Sequence, residues 1–186
     1  VRGGGHPGAS GGGNPEIGRR SAVPLPQEAR RAPKPAPKPV VSSGFWLMKS
    51  EPDVFGWDDL VKRGKAGEPW TGVRNYQARN NMRAMQVGDL AFFYHSNIGK
   101  EIAGVMRVVA PAHPDQTDDT GAWECVDVEA VMPLKTPLTL ETIKADPKLS
   151  SMALVNNSRL SVQPVTAPEW AHLCKLAGID AKALKK

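Results

Sequence analysis

The chain has 186 residues, of which 40% are hydrophobic, and a formal charge of +5 at pH 7; this size fits one domain with a tail. Residues 1–44 hold seven lysines and arginines against two acids, whereas residues 45–186 hold 17 residues of each sign. The excess charge therefore lies in the N-terminal segment. A strongly basic, DNA-coating domain is excluded, because such a domain needs its charge excess on the folded part.

The cysteines, the histidines and the apolar runs exclude several classes of protein. Cys125 and Cys174 are too few for a disulfide scaffold, and the four histidines show no metal-ligand spacing, so the sequence predicts no metal site. The longest apolar runs fall far short of the ~20 residues of a membrane span, and residues 1–44 lack the apolar core of a secretory signal. We expect a soluble, intracellular protein, either cytoplasmic or in the nucleoid or nucleus.

The N-terminal segment differs from the rest of the chain in composition. Residues 1–44 carry nine glycines, eight prolines and no aromatic residue, so they cannot bury enough apolar surface to fold and are predicted to be disordered. Within this segment, residues 32–40 alternate proline with lysine and favour polyproline II. We interpret the tail as a solvated leader rather than a basic arm for phosphates, because basic tails often only repel and solvate.

Short apolar segments begin at Phe45 and predict the elements of the first half. In chain order these are a strand at 45–49, a helix at 57–65, a helix at 75–85, a strand at 90–95 and a strand at 102–109. Leu60 and Val61 are expected to face inward from the first helix. In the second helix, Ala78 and Met82 belong to an apolar stripe at helical spacing.

The second half predicts two further strands and two further helices. They are a strand at 123–131, a helix at 139–145, a strand at 159–163 and a helix that a capping box opens at 166–169 and that runs to residue 176. Gly104 lies inside its strand and predicts a bulge or a close backbone approach. In the strand at 123–131, Val126 and Val128 alternate with Cys125 and Asp127, which is typical of a half-exposed antiparallel strand.

The order of these elements predicts the fold class. About five strands are interleaved irregularly with four short helices, which favours an α+β domain whose sheet curls into a small barrel. A doubly wound parallel fold is disfavoured, because the helices are too short and the regular strand–helix alternation is missing.

A first polar cluster follows the strand at 45–49. Lys49, Ser50 and Glu51 leave a buried strand together, just before a proline that ends ladder pairing. Strand ends are where a rigid scaffold presents functional side chains. Lys49 is suited to a phosphate or a carbonyl oxygen, and the other two are suited to a polar base edge. Taken alone, however, the cluster is explained as well by an ordinary turn.

A second cluster surrounds the start of the helix at 75–85. Arg74 and Asn75 stand at its N-terminus, where free amides and the helix dipole favour an anion. Arg79 and Arg83 continue the same polar face. Together with Trp70 just before the helix, these residues offer a stacking plane and donors of the kind a nucleobase needs. The alternative is that Trp70 is core and Asn75 only a cap.

A third cluster closes the strand at 90–95, where alternation places His95 opposite Tyr94 and Ser96. No triad spacing, phosphate loop or dinucleotide motif accompanies His95, so an enzyme has no positive support. One alternative is nevertheless an enzyme acting on RNA or nucleotides that uses His95 and Glu51 as an acid–base pair. Another is a protein-interaction module that acts through residues 32–40.

Three segments carry a resemblance to a known family. They are WLMKSEP at 46–52, WTGVRNYQARN at 70–80 and AFFYHSN at 91–97, which IAG follows at 102–104. Over about residues 45–178 the chain resembles the EVE domain, which is related to PUA, YTH and ASCH domains. The resemblance implies a PUA-like α+β fold, with a curled, mostly antiparallel sheet (a pseudo-barrel) and several short helices.

The resemblance also implies a function. It predicts a non-enzymatic module that accommodates a single modified nucleobase of DNA or RNA in a pocket, without cofactor, metal or membrane, and we expect a monomer. The predicted pocket and binding residues are Lys49, Ser50, Glu51, Trp70, Arg74, Asn75, Tyr76, Arg79, Asn80, Tyr94, His95 and Ser96. The predicted organisation is a tail at 1–44, a domain at 45–180 and a short basic end at 181–186.

Overall fold

The structure is a computed structural model that describes residues 42–185, so the prediction for the tail lies outside it over residues 1–41. Its strands are β1 (Phe45–Ser50), β2 (Glu68–Pro69), β3 (Leu90–His95), β4 (Glu101–Pro114), β5 (Glu124–Thr139) and β6 (Val162–Pro164). Its α-helices are α1 (Trp57–Arg63), α2 (Tyr76–Ala84), α3 (Leu140–Ala145), α4 (Ala153–Asn156) and α5 (Ala167–Leu176). Short 3₁₀ turns follow at Gly64–Ala66, Pro147–Leu149 and Ala183–Lys185.

The six strands form one mixed sheet in the order β2-β5-β4-β3-β1-β6. The interior pair β1 and β3 is parallel, and every other neighbouring pair is antiparallel. Within residues 42–185 no pairing joins the edge strands β2 and β6, so the predicted curling into a barrel does not close the sheet. The α+β class with a mostly antiparallel sheet is confirmed.

Both faces of the sheet are covered, which explains the continuous apolar runs of its central strands. On β1, Trp46 and Met48 belong to one apolar cluster and Leu47 to the other. Helices α1 and α2 supply residues to the first cluster, whereas α3, α4 and α5 supply residues to the second. The sheet therefore separates two faces that can carry separate sites.

The helix signals in the sequence are confirmed where a cap defines them. Asn75 caps α2 by accepting a hydrogen bond from the Ala78 amide at 2.9 Å, and Thr166 and Glu169 form the capping box of α5. Met82 is fully buried with the rest of the predicted stripe. None of the helices within the described range is long and apolar enough to cross a membrane.

Four predicted elements differ in part from the structure. Val61 was expected to face inward but is 49% exposed, because a two-turn helix can turn only Trp57 and Leu60 toward the sheet. The last strand is β6 rather than residues 159–163, since its ladder with β1 begins with Val162 opposite Met48. Strands β4 and β5 are longer than predicted, with 14 and 16 residues.

Contacts at both ends extend the packed part of the chain beyond residues 45–180. The Ser43 hydroxyl donates to the Val165 carbonyl at 2.5 Å, and the Leu90 amide donates to the Gly44 carbonyl at 3.0 Å. At the other end, Leu184 is buried in the second apolar cluster. Residues 42–44 therefore contact the domain, although the sequence placed them in the disordered tail.

Gly104 has the close backbone approach that the sequence predicts. Next to Gly104, the register of β4 shifts in its pairing with β3 and in its pairing with β5. The Trp57 indole lies directly over Gly104. A Cβ atom at this position would lie 2.5 Å from Cζ2 and Cζ3 of that ring. Glycine is therefore the residue that lets α1 pack its tryptophan flat against the sheet.

We predict that Gly104→Ala lowers the free energy of unfolding by about 1–3 kcal/mol through overpacking. In a Trp57→Phe background the same change costs clearly less, because the shorter ring leaves room for the methyl group. Urea unfolding of the four proteins of this cycle measures both costs. Equal costs in the two backgrounds would contradict the role assigned to the indole.

Candidate nucleic-acid interface

A cavity of about 490 Å³ opens between the end of β1 and the segment 68–74 that precedes α2. This volume lies within the range of about 300–1,000 Å³ that is usual for ligand pockets. Its lining includes Ser50, Phe55, Trp70, Thr71, Arg74 and Ser161. The first polar cluster and the approach to the α2 N-terminus therefore share one cavity, whereas Tyr94, His95 and Ser96 of the third cluster do not line it.

Ser50 holds the turn at the strand end that forms one wall of this cavity. Its hydroxyl donates to the Phe55 carbonyl at 2.7 Å, and its own carbonyl accepts from the Ser96 amide at 2.9 Å. The second bond continues the parallel pairing of β1 with β3. Ser50 keeps the acceptor lone pairs of its hydroxyl for a ligand, whereas Ser96 supports the wall and is not among the residues that line the cavity.

Trp70 forms the apolar side of the cavity and is also part of the core. It is 6% exposed, and its ring meets Phe93 edge to face with centroids 5.4 Å apart. Phe55, which is half-buried at the cavity, meets the same indole at 6.5 Å. The aromatic side of the pocket is therefore fixed by packing from beneath.

Arg74 and Asp115 fix the opposite wall. Asp115, whose side chain has 0% exposure, accepts from Arg74 Nη1 at 2.8 Å and from the Gly72 amide at 2.9 Å. Gly72 has a φ of 82°, a conformation that favours glycine. One buried carboxylate thus holds both the backbone and the guanidinium of this wall.

The same contacts determine how Asp115 ionises. Burial alone favours the protonated carboxyl. Hydrogen bonds from Arg74, from the hydroxyl and amide of Thr117 and from the Gly72 amide outweigh it, and they hold the pKa of Asp115 well below its ordinary value of 3.8. Asp115 is therefore a fixed negative charge at neutral pH, and it compensates the Arg74 guanidinium.

An aromatic pair stands at the exposed start of α2. The rings of Tyr76 and Trp123 are in contact, with centroids 4.8 Å apart and planes tilted by 30°, and Tyr76 is 62% exposed. The Arg79 guanidinium lies over the Tyr76 ring at 4.8 Å and donates to the Ala122 carbonyl at 2.7 Å. Asn80 contacts the same guanidinium through its side-chain oxygen.

The arginines near α2 differ in how their charge is compensated. Arg74 is paired with Asp115, and Arg83 makes a two-pronged pair with Glu124 at 2.7 and 2.8 Å. Among the residues that the structure describes, Arg79 makes no ion pair within 4 Å. Arg79 is therefore the arginine of this group without a direct ion pair, although it lies close enough to Glu124 to help lower the pKa of that carboxyl.

Lys49 belongs to the lining of the cavity, but its ammonium group lies near Tyr94, which does not line it. The Lys49 ammonium donates to the Ser158 carbonyl at 2.8 Å and lies 5.8 Å from the centre of the Tyr94 ring. Burial lowers the pKa of Lys49 and raises that of Tyr94. Tyr94 is 4% exposed within the second apolar cluster, on the opposite face of the sheet from Trp70.

His95 and Glu51 do not form the acid–base pair of the enzyme alternative. The His95 Nε2 atom accepts a hydrogen bond from the Trp57 amide at 3.1 Å, which places it at the start of α1. Glu51 is exposed at the cavity. In the part of the chain that the structure describes, no hydrogen bond joins the two side chains.

Sequence reasoning missed Asp115, Trp123 and Phe55. Asp115 lies 41 residues along the chain from Arg74, and Trp123 is still further from the helix start that it contacts. Only the pairing of β4 with β5 brings them there. Phe55 follows the WLMKSEP motif closely, and an aromatic residue in an otherwise polar turn was the signal available for it.

Comparison with known proteins identifies the family. The model of the EVE domain matches residues 44–176. The chain belongs to the EVE domain family. Mouse thymocyte nuclear protein 1 is 39% identical to it over 166 residues, which cover 72% of this chain and 74% of that protein.

Solved structures of similar proteins agree with this assignment. A protein from Rhodopseudomonas palustris, solved by NMR, is 57% identical, with a TM-score of 0.69 over 72% of this chain and 92% of its own. Human THYN1 protein in complex with DNA containing 5-methylcytosine is 36% identical, with a TM-score of 0.66 over 73% of this chain and 98% of its own. The EVE resemblance and the fold class predicted from the sequence are therefore confirmed.

We predict that Asp115→Asn lowers stability at neutral pH by about 1–3 kcal/mol, because Arg74 and Gly72 lose a charged acceptor. It also flattens the acid limb of the stability profile. In the native protein, the contribution of the Asp115 carboxylate to folding stability is complete above the ordinary pKa of 3.8. It is lost as the pH falls below that value, because the carboxyl group of the unfolded chain binds a proton at a higher pH than that of the folded protein.

Urea unfolding at a series of pH values between neutrality and about pH 2 measures this effect. Asp53→Asn, at an exposed carboxylate, serves as the control and leaves the profile as in the native protein. An unchanged acid limb in Asp115→Asn would show that the carboxylate does not anchor the wall.

Proposed function

We propose that this EVE domain binds DNA and holds one modified cytosine, such as 5-methylcytosine, in the cavity between β1 and segment 68–74. The observation that carries the proposal is this cavity, with aromatic rings on one side and a fixed arginine on the other. The human relative in complex with DNA containing 5-methylcytosine supports the choice of ligand. The sequence alone does not choose between DNA and RNA.

The cavity suits a single flipped base. A base that stacks beside Phe55 and Trp70 gains about 1–3 kcal/mol, which is comparable with the few kcal/mol that extrusion from a duplex costs. The Ser50 hydroxyl can accept from an exocyclic amino group, such as that of cytosine. One additional methyl group in an apolar pocket is worth about 1–3 kcal/mol, so the preference for the modified base is modest.

The surface beside the cavity supplies the phosphate contacts. Arg79 has no carboxylate partner among the described residues, and exposed Tyr76 beside it offers a second ring to a neighbouring base. These groups are local, so a domain with equal numbers of acidic and basic residues can still bind a polyanion. Arg74 contributes by its position on the cavity wall, since Asp115 already compensates its charge.

We further propose that the domain acts by binding and not by catalysis. The His95 nitrogen that a general base would need is occupied by the Trp57 amide, and this supports a structural role for the histidine. A reader of modified DNA acts in the nucleoid or the nucleus. That the domain is a monomer stays a prediction.

The cavity is tested by Phe55→Ala with Phe45→Ala as its matched control. Both phenylalanines are half-buried and contact a tryptophan, but Phe45 stacks on Trp170 on the opposite face of the sheet. We predict that Phe55→Ala weakens binding of a duplex with one 5-methylcytosine by about 1–3 kcal/mol. Phe45→Ala destabilises the fold and leaves this affinity unchanged.

Fluorescence anisotropy with methylated and unmethylated duplexes measures these affinities, and urea unfolding of the same variants reports stability. If Phe55→Ala binds both duplexes as the native protein does, the base lies elsewhere. Equal losses in both phenylalanine variants would likewise assign the effect to folding rather than to the cavity.

The phosphate contact is tested by Arg79→Ala with Arg83→Ala as its control, one helical turn away. We predict that Arg79→Ala weakens binding to all duplexes by a similar factor and lowers the salt slope by about one unit. The control also carries Glu124→Gln, so that the whole neutral pair is removed and no unpaired carboxylate is left beside Arg79, and it has little effect. Titrations over a range of salt concentrations give both slopes, and equal slopes for the two variants would exclude Arg79 as the phosphate contact.

A further inference from the structure

Three side chains with metal-binding atoms meet on the hairpin of β4 and β5. His113 is directly opposite Cys125 in the register of the two strands, and Asp127 lies two residues further along β5, on the same face as Cys125. One donor atom from each residue lies within 4.8 Å of the other two. The sequence shows no such ligand spacing, because strand pairing rather than chain proximity brings His113 to the other two.

The three side chains lie close enough to one another to share one ion. His113 Nε2 lies 2.7 Å from an Asp127 carboxylate oxygen, and the Cys125 sulfur lies 3.8 Å from the same nitrogen. The other ring nitrogen, Nδ1, lies 3.2 Å from the Pro114 carbonyl. A backbone carbonyl on the second nitrogen is the outer-shell partner that metal-binding histidines use to fix their tautomer and orientation.

A cysteine nucleophile of the Cys-His-Asp type does not fit this geometry. In such a triad the thiol and the carboxylate bond to different ring nitrogens. Here the Cys125 sulfur is 3.8 Å from both nitrogens, and Asp127 takes Nε2.

We propose that His113, Cys125 and Asp127 bind one zinc ion. Imidazole nitrogen, thiolate sulfur and carboxylate oxygen are the ligand types that zinc uses in proteins, and three protein ligands leave a fourth tetrahedral position for water. The ion enters from the outer side, because the side chains of His113 and Asp127 are 31% and 29% exposed while Cys125 lies buried beneath them.

This site is separate from the proposed base pocket. Val126 and Val128, which alternate with the two β5 ligands, belong to the apolar cluster that contains Trp70. Cys125 and Asp127 therefore lie on the opposite face of the hairpin from the pocket. Zinc would link β4 and β5 at the end of the hairpin that carries the connecting loop. Because the two sites are separate, failure of either proposal leaves the other unaffected.

A cobalt titration of the full chain, after treatment with a chelator, tests the proposal. We expect a thiolate-to-cobalt charge-transfer band that saturates at one equivalent and that zinc abolishes by displacement. The band is lost in Cys125→Ser and kept in Cys174→Ser, the matched control at the other buried cysteine. The absence of a band in the native chain, or its survival in Cys125→Ser, would overturn the proposal.

A second pair of variants keeps both thiols in place, in case Cys125→Ser does not fold. His113→Gln should weaken cobalt binding at least about tenfold, because loss of a partner that only supports a metal ligand already weakens binding by about that factor. His172→Gln is its control, because His172 pairs with Asp146 at 2.6 Å in the same manner and belongs to no such three-ligand group in the described range. Equal cobalt affinity in the two histidine variants would refute the site.

Discussion

The buried carboxylate of Asp115 is the constraint on which the candidate interface depends. It lies at the end of β4, yet it holds the Gly72 backbone and the Arg74 guanidinium on the far side of the cavity. A charge without solvent exposure is tolerated only when it is paired and hydrogen-bonded. The segment before α2 is therefore fixed in one position before any ligand arrives, and a site organised in advance loses less freedom on binding.

This constraint also determines where positive charge is available. Asp115 and Glu124 neutralise Arg74 and Arg83, so these two arginines shape the surface more than they attract phosphate. Arg79 rests against the Tyr76 ring instead and keeps its charge. If the domain binds DNA as proposed, Arg79 is the arginine of this helix face that remains for a phosphate, so a domain with equal numbers of acidic and basic residues can bind a polyanion through local charge.

The sheet separates the functions of its two faces. The cavity, Trp70 and the caps of α1 and α2 belong to one face, whereas Trp170 and α5 stabilise the other. Gly104 is the point at which α1 approaches the sheet most closely, since the Trp57 indole occupies the space of a side chain there. The amide of the same Trp57 donates a hydrogen bond to the His95 Nε2 atom. The packing of α1 on the first face therefore also gives this histidine a structural partner.

The sequence predicts what local patterns determine. The central strands follow from their apolar runs, α2 follows from its cap and its stripe, and the shared cavity follows from polar residues at element ends. Contacts between distant residues were not accessible in this way. The pairing of Arg74 with Asp115 spans 41 residues, and the meeting of His113 with Cys125 depends on the irregular register of β4 and β5. Tyr94 was assigned to the pocket because it belongs to a conspicuous motif, whereas it is buried on the opposite face of the sheet from Trp70.

The central claim is that one modified base occupies the cavity beside Trp70. An NMR titration tests it most directly, with the indole signals of Trp70 and Trp170 followed as duplex DNA with one 5-methylcytosine is added. The account predicts that the Trp70 indole and the Gly72 amide shift, more strongly than with unmodified duplex, while the Trp170 indole on the opposite face stays unchanged. Binding that leaves Trp70 and Gly72 unperturbed would contradict it.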